Sequence, residues 1–420
     1  MLVLVSLAMF GNYYVYDCIA PIADLLSKQL GFSDSNIGLL QAIYSFPNLI
    51  MVLIGGYLVD RIGARKAIFL FGSTCLLGAA VTVLSGHLAL MATGRLIFGI
   101  GAESLIVAVT TAIAKWFRGK ELSFAFGINL MIARAGTLLA QRSPTWTKFS
   151  FMPEWVKLTY TNWRTPLLIS VGIATLCVIG ALIYWGMEVY AEKHFELAHA
   201  GPTDKVVFGD LFHFGVSYWY IVALCFVFYS AIFPFETFSY KFFMDAHGTT
   251  REMAGTLIGN LTICTMIGTP LLGLFVDKIG KRALLMMIGS VLLVPVYLMM
   301  AYTHTQASLY APMAMMGVAF SLVPAVIWPS VAYIVDQNKL GTAYGLMTVI
   351  QNIGFFGFNL LIGWANDHSH TSATNPAGYH LGMWIFSILG LLGMLFAFLL
   401  RQREMGPHGH GLETITASKG

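Results

Sequence analysis

The sequence predicts an all-α polytopic membrane protein, with twelve transmembrane helices arranged as two six-helix halves. Three observations carry that expectation. Apolar stretches of about 20 residues recur along the whole chain, each long enough to cross roughly 30 Å of hydrocarbon. The 420 residues are 57% hydrophobic and 10% charged, against roughly 25% charged in a soluble domain, and the mean hydropathy is +0.73. A loop motif also occurs twice, about half a chain apart. An outer-membrane barrel would instead show alternating segments of roughly ten residues.

Taken in order, the spans are expected at about 3–26, 37–59, 66–86, 88–114, 121–141, 165–189, 217–240, 253–275, 283–302, 309–335, 342–364 and 380–400. The first starts almost at Met1 and lacks a basic leader and a small-residue cleavage site, so it reads as a span rather than a removed signal. With both ends inside, fifteen flanking Lys and Arg residues fall on the inner face and seven on the outer, which selects cytoplasmic termini. The organisation is then an N-terminal half at 1–190, a cytoplasmic linker at 191–216, a C-terminal half at 217–400 and a cytoplasmic tail at 401–420. The outer loop at 142–164 is long, basic and aromatic, and is expected to include a short helix lying on the membrane interface.

Composition also excludes several functions. The five cysteines all lie in apolar segments without a CxxC pair and read as small buried hydrophobes. The basic residues flank spans and form no nucleic-acid patch, so no nucleic-acid partner is expected. There is no Walker motif, no HExxH and no glycine-rich βα turn, so no enzyme, nucleotide-driven pump, cofactor or metal site is expected. His368 and His370 sit in an outer loop, and His408 and His410 in the tail, where they read as weak adventitious metal contacts and not as a dedicated site.

The repeat is the strongest organisational signal. GGYLVDRIGARKA between the second and third spans aligns without gaps on LGLFVDKIGKRAL between the eighth and ninth. Gly56/Gly273, Asp60/Asp277, Arg61/Lys278, Gly63/Gly280 and Arg65/Arg282 all keep one offset of 217 residues (277 − 60). Physically the loop suits a latch. Asp60 and Asp277 can accept hydrogen bonds from helix N-termini or basic partners, and Arg61, Arg65, Lys278 and Arg282 can pair with acids or reach lipid phosphates. These six residues are assigned to gating rather than to substrate, because they lie at the membrane edge. Glu236, near the outer end of the seventh span and five residues before Lys241, is a further candidate for an outer gate or a structural pair.

With GRLIFGIGAES at 94–104, the GYLVDRIGARK loop resembles the signatures of the major facilitator superfamily over nearly the whole chain. That resemblance implies a secondary transporter that alternates between inward and outward openings. The stretch from Gly94 to Gly136, through GAES, WFRGKEL and ARAG, together with NYYVYD at 12–17 and YSFPN at 44–48, is similar to the lysosomal dipeptide-transporting branch of that superfamily and its bacterial relatives. The branch implies facilitated diffusion of dipeptides, with an acid on the fourth helix and an arginine on the fifth holding the peptide ends. Those roles fall on Glu103 and Arg134.

Read from the residues alone, Glu103 and Arg134 are charges in long apolar runs, which membrane proteins keep for pairing, ion pathways or substrate contact. Antiparallel neighbouring spans bring both near mid-depth. A zwitterion offers an ammonium to one and a carboxylate to the other, and the arginine fork suits a carboxylate bidentately. A permanent salt bridge between the helices and a proton relay through Glu103 are the competing readings. Around them, Tyr16, Asp17, Tyr44 and Asn129 from the first half, and Trp328 and Asn352 from the second, are candidates to line the path. Tyr344 and Asn359 are secondary candidates, and Arg95 is expected to organise helix contacts. The alternative function is a proton-coupled carrier of small anions, held by Arg95 and Arg134, with Glu103 or Glu236 as the proton site. A functional monomer in a bacterial cytoplasmic membrane is expected, since one chain supplies both halves and starts in its first span with no sorting segment before it. Membrane lipid is the only macroscopic surround the sequence implies; no accessory protein can be read from it.

Overall fold

The computed structural model describes residues 1–117, 122–148, 152–194, 214–303, 305–336, 339–407 and 409–415. Among these, eleven helices are long and apolar enough to cross a membrane, and a bent pair makes a twelfth. By internal contacts the chain divides into two compact units, Met1–Thr203 and Asp204–Gly420. Most of the expected linker, 195–213, and the end of the tail, 416–420, lie outside the described residues.

In the first unit, span one runs Leu2–Leu30 and breaks after Asp17; a 3₁₀ turn at Ala20–Ile22 precedes a second helical piece, Ala23–Leu30. Pro21 explains the break, because it has no amide hydrogen for the helix ladder and its ring disfavours helical backbone before it. Span two is Asp34–Ile62, bent by 58° between its parts Asp34–Met51 and Ile54–Ile62. The Ser104 hydroxyl donates to the Met51 carbonyl at that bend (3.3 Å). Spans three to six are Ala64–Leu84, Leu88–Phe117, Leu122–Arg142 and Arg164–His194. The expected interfacial helix between spans five and six is a chain of short turns: Ser143–Lys148, Glu154–Lys157 and Thr159–Thr161. Hydrogen bonds between Ser143 and Tyr160 and from Gln29 to the Thr161 carbonyl (2.8 Å) hold it.

The second unit contains spans seven to twelve: Val216–His247, Arg251–Ile279, Arg282–Tyr302, Tyr310–Ile334, Leu340–His368 and His380–Glu404. Its helix partners reproduce those of the first unit. Spans one to six pack in the pairs one–five, one–six, two–four, three–four and three–six. Their copies pack as seven–eleven, seven–twelve, eight–ten, nine–ten and nine–twelve.

The turns repeat as well. Gly31 (φ +70°) ends span one and Gly248 (φ +60°) ends span seven, both in the left-handed region that glycine enters without steric cost. Two residues later Ser33 accepts from the Asn36 amide and Thr250 from the Met253 amide, capping spans two and eight. Both pairs keep the 217-residue offset (248 − 31, 250 − 33) seen in the loop motif. The duplication therefore reaches backbone conformation and capping chemistry outside the loop motif.

Close helix approach sets the first unit's interior. A side chain added at Gly101 would meet the Phe71 carbonyl at 2.7 Å, and one at Gly136 would collide with the Phe10 carbonyl. Spans three and four, and spans one and five, thus meet backbone to backbone, as small residues allow in membranes. Leu77, Leu182, Leu274 and Leu391 are exposed on the outer helix faces.

Candidate functional site

Polar and charged side chains in the first unit converge on the break in span one. Asn12 donates to the Ala102 carbonyl (3.4 Å), tying span one to span four one residue before Glu103. At 1.5 Å per residue, Glu103 lies ~21 Å along span four from its motif end at Phe117, and Arg134 lies ~18 Å along span five from Leu122. The two therefore sit at similar depth. Neither is fully enclosed; both side chains are half-buried.

The two charges approach a common neighbour rather than each other. The Arg134 guanidinium lies over the Tyr13 ring, 5.8 Å from its centroid, and Tyr13 is within electrostatic reach of Glu103 and Asp17 as well. The Tyr44 hydroxyl lies beside the Glu103 carboxylate, and Thr137 lies beside Asp17. Among the described residues no ion pair or hydrogen bond joins Glu103 to Arg134. An acid, a base and a second acid thus surround one tyrosine, within spans one, four and five.

Arg95 builds the floor of this arrangement. It is 1% exposed and donates to the Val15 carbonyl (2.9 Å), the Tyr16 carbonyl (3.2 Å), the Leu40 carbonyl (3.3 Å) and Gln41 Oε1 (2.6 Å). The break after Asp17 leaves the last carbonyls of that helical piece without helical partners, and the guanidinium answers two of them while reaching span two. It also lies over Tyr44 and Phe98, at 5.5 and 5.3 Å from their centroids. Tyr44 packs in turn on Tyr16 (4.8 Å) and Phe98 (5.3 Å). Arg95 therefore organises helix contacts, as the sequence suggested, and it orients Tyr16, Asp17 and Tyr44.

The remaining predicted site residues are arranged differently. Asn129 is buried and accepts from the Ser6 hydroxyl (3.0 Å), so it joins spans five and one and is not brought to the charged group. In the second unit Trp328 Nε1 donates to the Tyr229 hydroxyl (2.8 Å), and the Tyr344 hydroxyl donates to the Trp328 carbonyl (3.0 Å). Asn352 and Asn359 are buried, each giving its amide to a carbonyl one turn back, Thr348 (3.0 Å) and Phe355 (2.8 Å). Glu236 is half-buried on span seven, near Tyr297. Sequence reasoning did not single out Gln41, Thr137 or Tyr229. Their only signal is a polar atom in an apolar run, which many packing residues share.

The two copies of the loop motif carry their charges in unlike settings. In the first, Asp60 and Arg61 are exposed, and Arg65 Nη1 pairs with Glu192 (2.5 Å) at the end of span six. Lys115 of span four pairs with Glu192 (3.2 Å) and with the buried Glu188. In the second, Lys278 is exposed and Arg282 is 1% exposed, with Nη2 on Asp277 (2.9 Å) and its guanidinium over the Tyr333 ring (4.5 Å).

Up to twelve apolar spans in two units with matching helix pairings define a duplicated helical membrane protein. The model of the Major Facilitator Superfamily matches residues 5–359 and 238–416. The chain belongs to the Major Facilitator Superfamily. Over 418 residues it is 31% identical to the lysosomal dipeptide transporter MFSD1 of Danio rerio, covering 98% of this chain and 88% of that one. It is 30% identical to the Homo sapiens MFSD1 over 407 residues, 94% and 85% of the two chains. Among solved structures, a bacterial homolog to the human lysosomal transporter Spinster, inward-facing and unoccupied, superposes with a TM-score of 0.77 at 17% identity, covering 96% of each chain.

Proposed function

We propose that this protein moves small zwitterionic peptides, dipeptides above all, by facilitated diffusion through alternating access. The observation that carries the reading is the pair of opposite charges, Glu103 and Arg134, which share Tyr13 as a neighbour yet form no ion pair with each other among the described residues. A half-buried charge held in an apolar segment with only tyrosine contacts, Tyr44 beside Glu103 and Tyr13 under Arg134, keeps part of its desolvation cost. A ligand that supplies both an ammonium and a carboxylate removes that cost at both ends at once. Glu103 takes the peptide's ammonium and Arg134 its carboxylate, bidentately. Tyr13, Tyr16, Tyr44 and Asp17 surround the two charges within the first unit. The likeness to MFSD1 of two vertebrates, named as lysosomal dipeptide transporters, supports the substrate class.

The gating assignment of Asp60, Arg61 and Arg65, with Asp277, Lys278 and Arg282, belongs to the same proposal, as do cytoplasmic termini, a lipid surround, a functional monomer and residence in a bacterial cytoplasmic membrane. The competing reading, a proton-coupled anion carrier, needs Arg95 and Arg134 as anion handles. It is weakened because the donors of Arg95 are engaged with Val15, Tyr16, Leu40 and Gln41. The test is counterflow of labelled dipeptides into proteoliposomes. Uptake that equilibrates without accumulation, and is indifferent to an uncoupler, is expected. Folded protein that moves no neutral, basic or acidic dipeptide would overturn the substrate assignment, and uncoupler-sensitive accumulation would favour the coupled carrier.

A further inference from the structure

The segment after span twelve folds back onto the second loop motif. Gly411 turns the chain with φ +89°, and Leu412 behind it is fully buried. The turn is anchored at Glu404, a buried carboxylate that accepts from the Ser217 hydroxyl (2.7 Å), the His410 amide (2.7 Å) and His410 Nδ1 (2.9 Å). From there the segment reaches the start of span nine. The Arg282 amide donates to the Leu412 carbonyl (3.0 Å) and the Lys281 amide to the Glu413 carbonyl (3.4 Å). The Leu284 amide donates to Glu413 Oε1 (3.1 Å), whose other oxygen accepts from Arg401 Nε (3.4 Å). Arg282 Nη1 donates to the Ile415 carbonyl (2.6 Å).

These contacts do chemical work at one place. The first amides of a helix lack internal acceptors, and a carboxylate there also answers the helix dipole. Lys281 has no side-chain cap to offer and holds φ +48°, a conformation that a residue with a side chain keeps only where its surroundings impose it. The segment supplies the missing acceptors on both sides of that residue and draws Arg282 against its own unit. In the first copy, by contrast, Arg65 reaches a side chain on span six, Glu192.

We propose that His410–Ile415 is an intramolecular latch on the Gly280–Arg282 turn that joins spans eight and nine, holding it in one conformation and slowing its movement in the transport cycle. Any displacement of that turn must first break the hydrogen bonds to Leu412, Glu413 and Ile415, so the segment stabilises the arrangement seen here over others. The latch rests on the transporter class and not on the dipeptide assignment.

The test compares the unaltered full chain with Glu413→Ala, Leu412→Asp and a chain ending after Gly406. Amide exchange is followed by mass spectrometry in lipid nanodiscs without substrate. Exchange in the peptide covering 281–287 should accelerate about fivefold or more in each variant, for the loss of one or two hydrogen bonds, while the peptide at the start of span three stays unchanged. Dipeptide counterflow should become about two- to fivefold faster. Unaltered protection at 281–287 would overturn the docking. Faster exchange with unchanged or slower counterflow would reduce the segment to a static clasp and overturn the latch. Should one variant fold poorly, adding the synthetic peptide HGLETI to the shortened chain is the further arm: restored protection supports the site and its absence contradicts it. Failure of dipeptide uptake in the unaltered chain would count against the substrate assignment alone, because exchange is read without substrate.

Discussion

The two halves share a scaffold and differ in what they hang on it. Their five main helix pairings correspond one to one, and the first turn between spans in each half uses glycine at positive φ followed by a hydroxyl cap at the same offset. The first half carries Asp17, Arg95, Glu103 and Arg134 about the break in span one. The corresponding spans of the second half carry a Trp328–Tyr229–Tyr344 cluster and ring contacts such as Phe233 against Phe355 (4.7 Å between centroids, tilted by 48°). Duplication preserved the helix pairings and the turn chemistry, because those are constrained by backbone geometry. Side chains without that constraint diverged, so the cluster of Asp17, Arg95, Glu103 and Arg134 has no counterpart among the contacts of the second half described above.

That contrast can be broken or sharpened by mutation. The largest effect is expected at Arg134. Losing a charge-assisted bidentate bond costs about 3 kcal/mol, roughly 100-fold, so R134A should lower dipeptide counterflow by about that factor while the unfolding temperature stays near that of the unaltered chain. Equal losses of stability and uptake would make Arg134 structural and erase the contrast. Next comes Arg95→Met, which leaves the Val15, Tyr16 and Leu40 carbonyls and Gln41 without their donor. It should destabilise the protein by about 3 kcal/mol or more, read as a lower unfolding temperature, and Arg95→Lys should not restore it because an ammonium lacks the planar fork.

A smaller effect should separate the two motif copies. R282A removes a fully buried guanidinium with three oxygen partners and should cost about 2–3 kcal/mol, whereas R65A loses a partly exposed pair and should cost under ~1 kcal/mol. Paired denaturation measurements check this, and equal costs would mean the copies are interchangeable. The smallest effect is expected at Trp328→Phe, which keeps a ring but drops the donor to Tyr229. It should change uptake by less than about fivefold, since no charge is involved.

The sequence revealed the scaffold almost completely and the site in part, for physical reasons. Spans are written in local hydropathy, and the repeat in turn glycines and loop charges, so both can be read without knowing what touches what. Even so, the expected first span at 3–26 gave no hint of the break after Asp17, although Pro21 was its sign, and the bend of span two was equally unread. Glu103, Arg134, Tyr44 and Asp17 stood out because polar groups in apolar runs are conspicuous. Asn129 stood out for the same reason, yet it bonds Ser6 across two helices; only contacts between distant residues separate the two cases. The docking of Leu412 and Glu413 on span nine was not read from the sequence, because a lone leucine and glutamate in a polar tail carry no periodicity and half of the contacts use backbone carbonyls that every residue possesses.

The central claim is that Glu103 and Arg134 hold opposite ends of one substrate. Counterflow with four forms of a single dipeptide tests it most directly: both ends free, acetylated, amidated, and capped at both ends, each with the unaltered chain, E103Q and R134A. The account predicts that each cap lowers uptake by the unaltered chain at least about tenfold. It further predicts that E103Q no longer distinguishes the acetylated from the free form, and R134A no longer the amidated from the free form. Caps that leave uptake unchanged, or losses in the two variants that ignore which end is capped, would contradict it.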